Sequence, residues 1–119
     1  MAIAALSMSS LYPSTSLRYT SDPMTTSGDT TFPLVLSHYP YKTVTLAGTF
    51  GGATAILEGT NDGINWFQCF DTANVAISLT ANGMRTVREN PMALRWRLTA
   101  GAGASLIADF VCTSNNTVL

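Results

Sequence analysis

From Phe32 onward, apolar and polar residues alternate in short runs, and turn-forming residues interrupt the runs at close intervals. The clearest run is "ALRWRLTA", residues 93–100, which places Leu94, Trp96 and Leu98 on one face and Arg95 and Arg97 on the other. Successive side chains of a strand point to opposite faces, so a period of two predicts a half-buried strand. "YKTVTLAGTF" repeats the pattern through Val44, Leu46 and Phe50, and "SLIADFVCT" sets Leu106, Phe110 and Cys112 against Ile107, Asp109 and Val111. "FPLVLSH", "ATAILEG", "INWFQCF", "AISLTA" and "MRTVRE" are shorter candidates, separated by Gly51-Gly52, Asn61-Asp62-Gly63, Asn82-Gly83 and Asn90-Pro91. Asp62-Gly63 predicts a tight hairpin, because these residues tolerate the positive φ that such turns need. Roughly seven to nine strands at this spacing predict an all-β fold: an antiparallel β-sandwich of jelly-roll type. Strand order is not legible from spacing.

Residues 1–31 read differently. They are crowded with Ser and Thr, carry Pro13 and Pro23, and sustain no periodicity of either kind. Such a composition buries too little apolar surface to offset its own ordering entropy, which predicts an extended arm ahead of a sandwich domain at 32–119. The arm holds Leu11, Tyr12, Leu17 and Tyr19. It either lies along a neighbouring subunit, adds a strand to an exposed sheet edge, or folds back on its own domain. These four residues, with Arg85 and Arg88, are the candidate partner contacts. Trp66 follows the hairpin and Trp96 shares a face with leucines, so both are expected in the core and not on a sugar-stacking platform.

Composition sharpens the picture. The chain has 119 residues, enough for one core, and 11% of them are charged, against roughly 25% in ordinary soluble domains. With a net charge of -1, little electrostatic repulsion opposes association, and the chain reads as one that works against partners, including copies of itself as a dimer or trimer. Its six basic residues are scattered, which argues against direct nucleic-acid binding. No apolar run approaches the roughly 20 residues of a spanning helix, so no membrane role is expected. The start "MAIAALSMSS" lacks a basic n-region, pointing to synthesis in the cytoplasm.

Candidate chemistry is sparse. His38 stands alone, without a second histidine or a GxSxG elbow, so a hydrolytic triad has little to build on. Glu58, Asp62, Asp71 and Glu89 show no spacing that favours a paired acid and base over solvated strand ends. "TNDGIN" supplies one carboxylate where calcium wants several, and "GAGAS" lacks the lysine and helix of a phosphate loop. Cys69 and Cys112 sit in apolar alternations and are expected as buried free thiols, with an inter-strand disulfide as the alternative in an oxidising compartment. No catalytic, cofactor-binding or metal-binding residues are expected.

The quoted stretches carry more than their physics requires. "GTFGGATAILEGTNDGINWFQCF" followed by "TANGMRTVRENPMALRWRLTAGAGASLIADF" resembles a pattern in small structural proteins of tailed bacteriophages. There a "GTFGGATxxLEGSNDGxxW" hairpin precedes an "ENP" segment with a following Arg and a Gly-rich turn. The chief departure is Thr60 where Ser is common. The hairpin alone also resembles discoidin-like lectin modules, which lack the "ENPMALR" segment. The phage resemblance implies a non-enzymatic virion protein, most specifically a capsid decoration or cement protein bound to the outer surface of the major capsid protein. A tail or neck accessory protein and a carbohydrate-binding sandwich are the alternatives. The family contributes no catalytic residues.

Overall fold

The computed structural model describes residues 3–11, 16–37 and 39–113, with backbone placement alone for 9–11. The period-two runs become strands in two facing sheets. Along the chain these are β1 (Ile3–Ala4), β2 (Leu6–Leu11), β3 (Ser16–Ser21), β4 (Thr30–Thr31), β5 (Tyr41–Thr49), β6 (Thr54–Thr60), β7 (Phe67–Gln68), β8 (Ser78–Leu79), β9 (Gly83–Thr86), β10 (Ala93–Thr99) and β11 (Ser105–Thr113). The first sheet runs β1-β4-β10-β6, with β7 and β8 both along the far side of β6; the second runs β2-β3-β11-β5-β9. Every named pairing is antiparallel except β1 with β4.

The order makes the sandwich a jelly roll. From β3 to β6, and again from β9 to β11, each strand crosses to the opposite sheet from its predecessor. The four-stranded block β3-β11-β5-β9 therefore faces β4-β10-β6-β7/β8, the two interlocked Greek keys of that architecture. β2 and β1 extend one side of each block.

The core lies between the sheets and follows the alternation. Val44 and Leu46 of β5, Ala55 and Leu57 of β6, Leu94, Trp96 and Leu98 of β10, and Leu106, Ala108, Phe110 and Cys112 of β11 are all buried. Each large side chain taken from water in this way stabilises the fold by roughly 1.5–3 kcal/mol. Among these apolar residues sits Lys42, only 1% exposed. Its parity in "YKTVTL" matches that of Val44 and Leu46, so the pattern itself aims it inward.

Four expectations change. The segment 1–31, read as an arm, contributes strands to both sheets over its described residues: β3 lies against β11 along its length, β4 lies against β10, and β1 lies outside β4. Hydrogen bonding substitutes for the missing apolar period. Thr20 and Arg18 both donate to the Asp109 carboxylate, and Ser21 Oγ accepts from Ala108 N at 2.9 Å. Inward-facing Leu17 and Tyr19 pack on the core. Second, Trp66 is not a core residue; it is half-buried, with the Arg95 guanidinium 4.0 Å from its ring centroid. Third, the hairpin is real, but its connection spans residues 61–66 and not two residues, which is why parity counted from the turn misplaces Trp66. Fourth, the described residues of "FPLVLSH", 32–37, form no strand; they touch β10 through the bridge of Leu34 with Leu94, in keeping with the donor missing at Pro33.

Candidate functional site

The two stretches that carry the phage resemblance meet in space. Between them lies a hollow of about 400 Å³, lined by Gly59–Asp62, Asn65 and Phe67–Cys69 on one side and Glu89, Asn90 and Pro91 on the other. Its walls are built from local chemistry. Thr60 Oγ1 accepts from Gly63 N at 3.0 Å, while Asp62 Oδ1 accepts from the backbone N of Ile64 and of Asn65, each at 2.8 Å. The Asn65 side chain donates to Asp62 Oδ2. These donors, Asn65 N foremost, hold the Asp62 carboxyl well below the usual carboxylate range. Gly63 closes the loop at φ +76°, where a side chain would be strained.

The second wall locks onto the first. The Pro91 ring lies over Gly59, so close that a Cβ there would come within 2.7 Å of Pro91 Cγ. Asn61 Oδ1 accepts from Met92 N at 3.0 Å. Glu89 Oε1 accepts from Phe70 N at 2.9 Å, and its Oε2 pairs with Arg88 at 2.7 Å. Asn90 donates from Nδ2 to Ser37 O and accepts at Oδ1 from Lys42 Nζ at 2.6 Å. Lys42 also donates to Tyr39 O at 2.9 Å. Burial lowers the Lys42 pKa, since desolvation disfavours the ammonium.

On the outer side of the first sheet, Glu58 joins Arg95 at 3.1 Å and Arg97 at 3.0 Å. Each acid that sequence spacing left open is thus tied to a neighbouring cation or amide. Cys69 and Cys112 are buried and unpaired with each other, as expected of core thiols. Burial, followed by the charges of Glu89 and Glu58, pushes the Cys69 thiol up to about 12. Among the described residues, no group of three or more His, Cys, Asp or Glu is placed to hold a metal. No helix among them is long and apolar enough to cross a membrane.

The candidate partner contacts do not converge. Leu17 and Tyr19 lie on β3, half-buried against the core, with burial raising the Tyr19 pKa. Arg85 is on β9, at the opposite edge of that sheet, donating to Met84 O and 3.9 Å from Asp71. Arg88 is engaged by Asn74 and Glu89 and lies 5.1 Å from the Phe70 ring centroid. Leu11 closes β2, an edge strand, and its side chain is outside the description. Tyr12 and His38 lie outside the described residues.

The outer face of the second sheet carries no motif, yet it is a continuous surface. Register aligns Ser7, Thr20, Asp109, Thr45 and Met84 in one row, and Arg18, Val111, Thr43 and Thr86 in the next. Arg18 and Asp109 pair with each other at 3.1 Å, so the two rows present hydroxyls and apolar side chains, exposed Met84 among them, with their charges cancelled. The alternate positions of "YKTVTLAGT" and "SLIADFVCT" carried that signal. Near the hollow, Ile64 and Phe67 are strongly exposed, at 81% and 70%.

No protein-family model matches the sequence, and no curated protein matches it. Solved structures do match in fold. The SPBc2 prophage-derived protein YomS aligns with a TM-score of 0.63 and 10% identity, covering 82% of this chain and 93% of that one. The cupin domain of Schizosaccharomyces pombe Cnp3 aligns at 0.45 and 8% identity, over 91% of this chain and 59% of that one. Peruvianin-I, a cysteine peptidase from Thevetia peruviana latex, aligns at 0.39 and 12% identity, over 84% and 50%. The last two are too distant to carry an argument, and the likeness to YomS at this identity is one of fold: the chain and the prophage-derived protein share a β-sandwich over most of their lengths.

Proposed function

We propose that the chain is a non-enzymatic structural protein of a bacteriophage virion, a decoration or cement protein that binds the outer surface of the major capsid protein. The observation that carries the reading is the fold shared with a prophage-derived protein over most of both chains. It joins the phage-like "LEGTNDG" and "ENP" stretches, whose Asn61, Asp62 and Asn90 side chains are engaged with the chain's own backbone. The neutral outer face of the second sheet and the edge strand β2 are then the surfaces that meet capsid. Many shallow contacts repeated by symmetry stabilise a shell through effective concentration, without one deep site. Assembly as a dimer or trimer multiplies them.

Heads lacking the chain, mixed with purified protein and imaged by cryo-electron microscopy, test this directly. Ordered copies on the shell at a fixed site support it; bare heads at saturating protein overturn it. Thr45→Asp with Thr43→Asp, which charges the outer face without touching the core, is expected to reduce occupancy. A tail or neck position is the alternative within the virion, and density there on whole particles would identify it. One observation favours a second reading: exposed Phe67 at the rim of a hollow that also holds Asn61, Asn65 and Gln68 is a combination that suits a neutral sugar. Binding on a glycan array, lost in Phe67→Ala, would select that reading.

A further inference from the structure

A buried lysine normally faces a carboxylate. Lys42 is 1% exposed and forms no ion pair with a described carboxylate; its amine is held instead by a backbone carbonyl and by the side-chain amide of Asn90. Leaving an ammonium in such a place is costly, and a buried lysine escapes the cost by giving up its proton. A neutral, desolvated amine is a nucleophile. The atom it touches, Asn90 Oδ1 at 2.6 Å, is one C=O bond of roughly 1.2 Å from an electrophilic carbon. The carboxamide is fixed on its other side by Nδ2 donating to Ser37 O at 3.0 Å.

We propose that Lys42 and Asn90 are a self-crosslinking pair, joined in the mature protein by an isopeptide bond. Lys42 Nζ attacks Asn90 Cγ; the Nζ–Cγ bond forms and the Cγ–Nδ2 bond breaks. A proton passes from Nζ to Nδ2, which leaves as ammonia, so the exchange needs no oxidant, reductant or activating co-reactant. Two features of the fold serve it. Asn90 lines the hollow, which opens an exit for ammonia. Holding amine and amide in contact converts a slow bimolecular exchange into an intramolecular one. The product ties β5, a central strand of the second sheet, to the segment between β9 and β10, which also caps Gly59 of the first sheet. A covalent tie there suits a subunit that works under load.

The test is the denatured intact mass of the purified full chain, after allowance for removal of Met1. The crosslinked protein is lighter than its sequence by one ammonia, and peptide mapping yields a branched peptide joining Lys42 to Asn90. Succinimide formation at Asn82-Gly83 also releases ammonia, so Lys42→Arg is the control: it regains the full mass if the crosslink is the cause and stays light if the succinimide is. Asn90→Asp, whose carboxyl condenses with loss of water in place of ammonia, is expected to retain the branched peptide. The wild-type mass and peptide map decide the question without any variant, so a variant that fails to fold leaves the test standing. A wild-type mass equal to the sequence, or a light mass without the branched peptide, overturns the proposal.

Discussion

Gly59 and Pro91 stand 32 positions apart, and their contact joins the two walls of the hollow. Gly59→Ala would place a methyl 2.7 Å from Pro91 Cγ, 3.0 Å from Cys69 Sγ and 3.1 Å from Pro91 Cβ. Carbon atoms prefer separations of roughly 3.5–4.0 Å, so the ring must move or the strand must bend. Overpacking of this kind costs about 1–3 kcal/mol. The backbone of Gly59 lies outside the left-handed region, so alanine brings no φ strain there, and its stiffer unfolded chain returns about 0.4–1 kcal/mol. The net expectation is a loss of about 1–2 kcal/mol. An unfolding entropy of roughly 2.1 cal/mol/K per residue converts this, for a chain of this length, to a fall in Tm of about 4–8 °C. Urea titration should show a lower midpoint at unchanged slope. Pro91→Ala removes the obstructing ring, so the double variant should recover at least about 1 kcal/mol relative to the sum of the single changes. A Gly59→Ala protein within about 0.3 kcal/mol of wild type, or strict additivity in the cycle, would refute the packing argument.

Further outcomes follow from the buried and charged groups. Trp96 is fully buried, yet its Nε1 has no hydrogen-bond partner among the described residues; Trp96→Phe, which removes that unpaired donor, should cost less than about 1.5 kcal/mol, while Trp96→Ala costs about 3–5 kcal/mol by chemical denaturation. Asp62 has a depressed folded pKa, so its contribution is present above the unfolded value of about 3.9 and fades as pH falls from there toward the folded value. A Tm profile from neutral to strongly acid pH should accordingly lose less in Asp62→Asn than in wild type, and equal acid limbs would count against the loop geometry. Cys69 and Cys112 should be inert to an aromatic disulfide reagent in the native protein at mildly alkaline pH and react fully in denaturant.

The legible part of the fold is the part where packing alternates. β10 and β11 could be read because Leu94, Trp96 and Leu98, and Leu106, Phe110 and Cys112, occupy one face each. β3 was hidden because its alternation is short, Leu17 and Tyr19 inward against Arg18 and Thr20 outward amid many Ser and Thr, and its bonds to Asp109 on a distant strand leave no mark in the sequence. Lys42 broke the apolar pattern without breaking the parity, so its burial could be deduced only by trusting position over residue type. The turn chemistry of Asp62-Gly63 was plain, but the loop length was not, since Asp62 gathers two backbone amides that a two-residue turn would not present. The hollow was unreadable for a simpler reason. It depends on Pro91 meeting Gly59 and Asn61 meeting Met92 N, and spacing carries no information on which distant segments touch.

The opening ribbon of the chain borders both sheets, pairing with β4 through Ile3 and Ala4 and with β3 through Leu6–Leu11. It therefore works as a clasp along one flank of the sandwich. Unfastening it would bare two strand rims at once while the β11 interior, braced by β3 and β5, stayed shut. Amide exchange should run from that flank inward, and a peptide copy of the ribbon, added in excess, would find a ready-made berth only after the chain's own copy had let go.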